Sequence, residues 1–401
     1  MSTTTPTPTP TTLRTRYARL PQIAGRAYLP VAALGRLPIT MVPLAVLSLV
    51  TSASGSVAVG GLASAATAIG EALGVPVVGW MADRAGQRRV LLTVVAAHLL
   101  ALGGLFAALD SPRTSALLPA AAVVGLTLPS VSGFSRARWL RMTRDPHEVE
   151  TAFACEGTID EATFILGPAV VGAVGVLGDP AAALLTAAGL TAVFVTAFAC
   201  HPTHRVTLSG PRGSVRPAGP VPVAVVVPVV AMLAMGGVFG ATQTAVTAAA
   251  ESVGSASLGS LVYALLAVGS TLTTLCLVLL PARFGLRRRW ALCGAGLLAG
   301  AGLMALTADS LGTLAATVLV TGLFVGPALV TVNTLAAGLV APERGAFVMA
   351  LLNSGIVLGV AAGAALGGNL AEHAGPAWGF VVVAVAGALL VGTAALAPAR
   401  R

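Results

Sequence analysis

"GWMADRAGQRRVLL", residues 79–92, is the stretch that decides the fold. It ends one long apolar run, begins the next, and places Asp83 and three arginines between residues 83 and 89. Gly79 and Gly86 allow close backbone approach and a sharp turn, and arginines beside apolar runs favour the cytoplasmic side of a membrane. The stretch therefore predicts a tight charged turn between two spanning helices. The alternative, an ordinary basic loop, would not require this order of Gly, Asp and Arg.

The composition excludes an ordinary soluble domain. Of 401 residues, 56% are hydrophobic and only 9% are charged, whereas about a quarter are charged in typical soluble domains. The net charge of +9 comes from 23 arginines and no lysine. Because aromatic residues make up only 4% and the arginines lie in short clusters between apolar runs, this charge indicates membrane topology rather than nucleic-acid binding.

The apolar runs predict an all-α membrane protein. A spanning helix needs about 20 apolar residues, and with both termini in the cytoplasm every arginine except Arg113 falls on the inner side or at an inner helix end. This arrangement predicts twelve spans, near residues 28–52, 57–82, 90–109, 115–138, 148–177, 181–200, 220–248, 257–281, 290–308, 311–340, 344–371 and 376–397.

Composition also divides the chain into regions. The first region is Thr/Pro-rich and then basic, and is expected to be a disordered cytoplasmic tail. A polar, basic, Pro/Gly-rich segment after the sixth span is expected to be a cytoplasmic linker. The predicted regions are the tail 1–27, an N-terminal six-helix bundle 28–200, the linker 201–219, a C-terminal six-helix bundle 220–397 and a short cytoplasmic tail 398–401.

The charged turn carries a family resemblance. Its pattern G-x-x-x-D-R-x-G-x-R-R resembles the signature loop between helices 2 and 3 of the major facilitator superfamily, and "ARFGLRRRW" after span 8 repeats it with Ala282 in place of Asp83. The resemblance, over about residues 28–397, implies two pseudo-symmetric six-helix bundles and alternating access. It also implies a conformational gate in which Asp83 caps the helix that begins near Gly345. The loop residues concerned are Gly79, Asp83, Arg84, Gly86, Arg88 and Arg89.

Span 5 contains a second resemblance. "LGPAVVGAVG", residues 166–175, resembles the Gly-Pro-x-x-Gly-Gly segment of exporters that exchange substrate for protons, with Val171 in place of one glycine. Gly167, Pro168 and Gly172 are expected to thin one face so that span 5 packs closely on span 8. A third family feature, an arginine in the middle of helix 4 of proton-coupled members, is missing from "LLPAAAVVGLTLPSVSG", residues 117–133.

Five ionisable side chains inside the spans are candidates for proton coupling, because such groups are costly in a bilayer. Glu156 and Asp160 share one helix face, and Glu161 points about 100° away. Arg36 could exchange partners with Asp160, or the two could form a static pair. A second proton site could be Glu71, whose carboxyl could instead bond a neighbouring backbone carbonyl. The candidates are Arg36, Glu71, Glu156, Asp160 and Glu161.

Other polar residues in the spans are weaker candidates. His98 in span 3 could titrate or simply pack. Six residues are expected to line a substrate cavity or to bond neighbouring helices: Thr40, Ser130, Gln243, Thr331, Asn333 and Asn353. The sequence shows no phosphate-binding Gly-rich loop, metal-ligand set or nucleophile–base arrangement, so neither an enzyme nor a cofactor or metal is expected.

The resemblance implies a multi-pass transporter of the cell membrane. The expected function is proton-coupled efflux, by antiport, of a small amphipathic drug or metabolite, acting as a monomer and without nucleic acid. An importer or facilitator of a small nutrient is the alternative. A membrane receptor or scaffold without transport activity is more remote, since a receptor would be expected to add a soluble sensor or output domain.

Overall fold

The computed structural model describes residues 13–109, 114–143, 145–175, 179–207, 221–253, 256–277 and 284–397, and all regular structure in these ranges is helical. The α-helices are α1 Leu13–Ala24, α2 Tyr28–Leu34, α3 Leu37–Ser54, α4 Val57–Ala85, α5 Gln87–Leu109, α6 Thr114–Leu126, α7 Val131–Met142, α8 Pro146–Gly175, α9 Pro180–Leu190, α10 Thr196–Cys200, α11 Val226–Ser252, α12 Ala256–Cys276, α13 Leu286–Leu306, α14 Leu311–Gly322, α15 Val325–Ala337, α16 Gly345–Ala374 and α17 Pro376–Leu396.

Helices α2 to α17 form the twelve predicted spans. The pairs α2–α3, α6–α7 and α14–α15 each form one span, and a π-helical turn, Thr191–Val195, joins α9 to α10. Eleven spans are long and apolar enough to cross a membrane by length and composition, and the apolar part of α12, Leu261–Cys276, is shorter. The all-α twelve-helix prediction is confirmed.

Two of the spans are broken where the sequence places proline. The α-helix of the first span is interrupted at Gly35 and Arg36. Pro38 lies in the first turn of α3, where its missing N–H costs no hydrogen bond. The α-helix of the fourth span is interrupted between α6 and α7, around Pro129. The residue before a proline disfavours helical backbone angles, which explains the interruption. This span continues to Met142, so its predicted end at residue 138 was too early.

The expected disorder of residues 1–27 is wrong for its second half. Residues 13–24 form α1, in which Leu20 is 1% exposed and packs into the core beside Tyr28. The Thr/Pro tract 1–12 lies outside the described residues, as do most of the linker 201–219 and the tail 398–401. The division of the chain at the linker therefore stays a prediction.

Each group of six spans has its own core. One core of buried residues lies within residues 225–397, and two others lie almost wholly within residues 20–199. Small residues let the helices approach closely within each group. A Cβ added to Gly125 of α6 would overlap the Thr67 carbonyl oxygen of α4, and one added to Gly236 of α11 would overlap the Ile356 carbonyl oxygen of α16.

We predict that Gly125→Ala lowers the free energy of unfolding by about 1–3 kcal/mol, because overpacking forces the backbones of α4 and α6 apart. The measurement is the apparent melting temperature of the purified protein. The matched control is Gly104→Ala in α5, where nothing lies within 4 Å of an added Cβ. Equal melting temperatures for the two variants would contradict the close packing of α4 on α6.

Candidate functional site

The charged turn lies where α4 meets α16, at what we call the basic end, the end of the bundle that carries the turn at Gly86. Gly86 has φ 87°, which glycine adopts without strain. The Asp83 carboxylate accepts hydrogen bonds from the backbone N–H groups of Ala346 at 3.2 Å and Phe347 at 2.9 Å. These are free amides in the first turn of α16, where the helix dipole favours a negative charge. The contact expected of Asp83 is therefore present.

The other loop residues take separate positions. Gly79 is buried against α16, and a Cβ added there would come within 2.8 Å of the Ala350 Cβ. The Arg84 guanidinium stacks over the Trp80 ring, 3.6 Å from its centroid, while Arg88 and Arg89 are exposed. The gating role expected of these residues stays a prediction.

Three further contacts close the basic end between the two groups of spans. Arg289 of α13 pairs with Glu150 of α8, and Tyr17 of α1 donates to the Leu275 carbonyl of α12 at 3.2 Å. A Cβ added to Gly157 of α8 would lie 3.8 Å from Thr274 of α12. Gly172, near the other end of α8, has nothing within 4 Å of an added Cβ. In this conformation the halves meet at the basic end.

A buried carboxylate organises the first half. Glu156 is 0% exposed, and its Oε2 pairs with Arg36. Its Oε1 accepts hydrogen bonds from Ser135 Oγ at 2.7 Å and Trp139 Nε1 at 2.8 Å. Tyr28 extends the network through a 2.8 Å hydrogen bond between its hydroxyl and that of Ser135. Every oxygen of this carboxylate is satisfied, as a buried charge requires.

Asp160, one turn further along α8, is held differently. Its Oδ2 accepts from Arg136 Nη2 at 2.7 Å and from Ser132 Oγ at 2.9 Å, and its Oδ1 lies 3.4 Å from Arg36 Nη1. The Asp160 side chain is 22% exposed, against 0% for Glu156. Asp160 is thus the more exposed of the two carboxylates, and Arg36 links it to Glu156.

Helical spacing brings these residues together. Ser132 and Arg136 are four apart on α7, and Glu156 and Asp160 are four apart on α8, so each pair lies on one helix face. The break in the first span puts Arg36 at the N-cap of α3, where its side chain reaches both carboxylates. The expected partnership of Arg36 with Asp160 is present, and it includes Glu156 as well.

Glu161 faces the second half. Its Oε1 accepts from Ser270 Oγ and its Oε2 accepts from Thr271 Oγ1 at 2.8 Å, both on α12. The residue is 5% exposed, and no Arg or His side chain pairs with it among the described residues. Glu161 is therefore a carboxyl group whose hydrogen-bond donors all belong to the opposite half.

Glu71 and His98 lie apart from this network. Glu71 is 3% exposed beside the packing of α4 on α6, and its two alternative roles, a proton site or a carboxyl bonded to a backbone carbonyl, both stay predictions. His98 is fully buried, with Nδ1 3.2 Å from the Val124 carbonyl oxygen and 3.4 Å from Thr127 Oγ1. These contacts place His98 against the break between α6 and α7, a packing position.

The predicted cavity residues differ in burial and in their hydrogen-bond partners. Thr40 donates to the Leu37 and Thr163 carbonyls, both at 3.1 Å. Asn333 donates to the Leu329 carbonyl of its own helix at 2.9 Å. Gln243 is exposed on α11, and Asn353 is half-buried on α16. Of these six residues, the hydroxyls of Ser130 and Thr331 and the Nδ2 group of Asn353 are buried and lack a hydrogen-bond partner among the described residues. Contact with substrate stays a prediction for all six.

The helix 5 motif is only partly buried. Gly167 lies against α3, since a Cβ added there would overlap the Thr40 hydroxyl, and Pro168 and Gly172 are exposed. Glu161 and Gly157 contact α12 in this conformation. The seam expected at Gly167 and Gly172 when the cavity opens inward stays a prediction.

Sequence reasoning missed two buried arginines. The part of the fourth span that was searched for an arginine, residues 117–133, contains none. The next part of that span, in α7, carries Arg136, which pairs with Asp160, and Arg138. Arg138 donates to Gln87 Oε1 at 2.9 Å and to the Phe198 carbonyl at 2.9 Å. The signal was present in "SGFSRARWLRM", residues 132–142, where Ser132 and Arg136 repeat the four-residue spacing of Glu156 and Asp160.

A twelve-helix bundle that buries charges near the meeting of two halves has the architecture of a secondary membrane transporter. The sequence matches the Major Facilitator Superfamily model over residues 29–248 and 229–401, so the chain belongs to this family of membrane transporters. Transport rather than enzyme activity is the function of the family.

Solved structures of transporters share the fold. A bacterial homologue of the iron transporter ferroportin, in an outward-facing state, is 16% identical with a TM-score of 0.73, covering 96% of this chain and 99% of that one. The human organic anion transporter MFSD10 is 18% identical with a TM-score of 0.69, covering 93% and 99%. The E. coli fucose:proton symporter FucP is 13% identical with a TM-score of 0.64, covering 94% and 100%. The comparison with curated protein sequences gave no match.

We predict that Glu156→Gln destabilises the protein by about 3–5 kcal/mol, because it removes the main counterion of a buried arginine. Asp160→Asn should cost clearly less, since the Asp160 side chain is partly exposed and Arg36 keeps Glu156. Apparent melting temperatures of the two variants against the parent protein test this order. The reverse order would show that Asp160, and not Glu156, holds the first half together.

We predict that Asp83→Asn opens the basic end more often, because the amide lacks the negative charge that the first turn of α16 favours. The measurement is maleimide labelling of a Val78→Cys reporter, since Val78 is 7% exposed where α4 meets α16. Labelling should be roughly two- to fivefold faster, and turnover should fall with expression intact. The background replaces the native thiols with alanine: Cys155, Cys200, Cys276 and Cys293.

The matched control for Asp83→Asn is Asp309→Asn, which changes an exposed aspartate just after α13. Normal transport together with unchanged labelling of the reporter would contradict a gating role for Asp83.

Proposed function

We propose that the protein is a proton-coupled secondary transporter that exports a small amphipathic drug or metabolite by alternating access. The observation that carries this proposal is the arrangement of Asp160, a partly exposed carboxylate bridged to two buried arginines beside the meeting of the halves. Ionisable groups inside a membrane mark ion pathways and proton relays. Asp160 is partly exposed, and its ion pairs with Arg36 and Arg136 depend on its negative charge.

Orientation follows from the arginines. The turn residues Arg84, Arg88 and Arg89 lie at the basic end, and cytoplasmic loops carry an excess of arginine. We therefore place the basic end and both termini in the cytoplasm, with the protein in the cell membrane as a functional monomer. On this orientation the described conformation is closed to the cytoplasm.

The proposed coupling uses exchange of partners. A proton on Asp160 removes the charge that holds Arg136 and the Nη1 group of Arg36, while Glu156 keeps the Nη2 group of Arg36. The freed donors can then bind a substrate group or let the halves rearrange. Glu156 serves in this scheme as the fixed anchor rather than as the proton carrier, because its oxygens are fully bonded and unexposed.

Export is favoured by the resemblance of "LGPAVVGAVG", residues 166–175, to the exporter motif. Import of a small nutrient is the second candidate, and it is supported by the similarity of the fold to a fucose:proton symporter. The similar structures include both an organic anion transporter and a fucose:proton symporter. The direction of substrate movement against an imposed proton gradient separates export from import.

We predict that Asp160→Asn in proteoliposomes abolishes flux driven by a proton gradient but retains substrate binding or exchange, because the amide cannot carry the proton. A panel of amphiphiles under an imposed gradient identifies a transported compound for the assay. Glu71→Gln should reduce flux less. The matched control is Glu372→Gln, which changes an exposed carboxylate near the end of α16.

Full gradient-driven transport by the double variant Asp160→Asn, Glu156→Gln would remove this part of α8 from the coupling mechanism. Glu71 and Glu161 would then be the remaining carboxyl groups to test. Loss of flux in Glu372→Gln as well would mean that the assay reports a general effect of charge removal.

A further inference from the structure

The helix before the first span is fixed to the first half. Its Leu20 and Ala24 are 1% and 5% exposed, and Arg19 pairs with Glu148 of α8, with a closest N···O distance of 3.3 Å. Gly25, with φ 94°, makes the turn from α1 into α2, a backbone conformation that favours glycine. Helix α1 therefore lies along the basic end of α8.

One contact of α1 crosses to the second half. The Tyr17 hydroxyl donates to the Leu275 carbonyl of α12 at 3.2 Å. Leu275 lies in the last turn of α12, which ends at Cys276, and the last four carbonyls of a helix have no partner within it. Tyr17 thus satisfies a carbonyl of one half with a donor carried by the other.

The surroundings of Tyr17 favour this donor role. Burial raises the pKa of the Tyr17 phenol, and the nearby Cys155, Cys276 and Glu150 raise it further. The hydroxyl therefore keeps its proton near neutral pH and can donate. Glu150 also pairs with Arg289 of α13, so two contacts between the halves lie close together here.

We propose that α1 is a strap across the line where α8 meets α12, and that Tyr17 is the residue through which it stabilises the closed basic end. Leu275 moves away from α1 when the two halves separate at this end, so the hydrogen bond exists only in the closed state. The proposal rests on the alternating access proposed above, but it requires neither proton coupling nor export.

The test is Tyr17→Phe, which keeps the ring and removes the donor. The measurement is the rate of maleimide labelling of the Val78→Cys reporter in the cysteine-free background, with the full chain in lipid nanodiscs and without substrate or proton gradient. Labelling should become roughly two- to tenfold faster, as expected for the loss of one ordinary hydrogen bond. The matched control is Arg19→Gln, which removes a contact of α1 that stays within one half and should leave the rate unchanged.

Three outcomes would overturn the proposal: an unchanged rate in Tyr17→Phe, a slower rate, or an equal acceleration in Arg19→Gln. The melting temperature of Tyr17→Phe should stay close to that of the parent protein, which separates a shift between conformations from loss of folding. Because no gradient or substrate is used, failure of proton-coupled export would leave this measurement and its interpretation intact.

Discussion

The rest of the first half depends on the buried Glu156 carboxylate. It joins α3 through Arg36 and α7 through Ser135 and Trp139, so three spans share one charge. Taking such a charge out of water is costly unless every oxygen is bonded. The bonding is complete here, and the geometry of the three spans around Asp160 follows from it. A fixed anchor next to a partly exposed carboxylate lets one of the two acids change charge without unfolding the bundle.

Environment assigns different roles to the acids of one helix. Glu156, Asp160 and Glu161 lie within six residues of α8. Glu156 lies in a fully bonded network, Asp160 is partly exposed and pairs with two arginines, and Glu161 faces the opposite half. Helical geometry explains the separation, because residues four apart share a face and adjacent residues point about 100° apart. A single helix thus carries one carboxylate that joins the spans of the first half, one that pairs with arginines and is partly exposed, and one that bonds the second half.

The sequence predicts most of the fold because membrane spans depend on length and hydropathy. It also predicts the Asp83 cap, which a local motif specifies. It does not predict Arg136 and Arg138, since an arginine near the end of an apolar run resembles a residue at the membrane surface, and only the break around Pro129 and the continuation to Met142 place them inside the bundle. The contact of Gly172 with α12 stays a prediction, because contact between the halves depends on which end is closed, a property of the conformation rather than of the motif.

The two halves contribute unequally to the polar centre. Arg36, Asp160 and their partners lie in the first half, while α12 contributes the hydroxyls of Ser270 and Thr271. Movement of the second half can therefore change the access of water to Asp160 without breaking its ion pairs. Glu161 is different, because its donors leave with α12 when the halves separate. In the alternating access proposed above, separation at the basic end would expose this carboxyl to water and closure would return it to the two hydroxyls, so its environment would follow the conformation of the whole molecule.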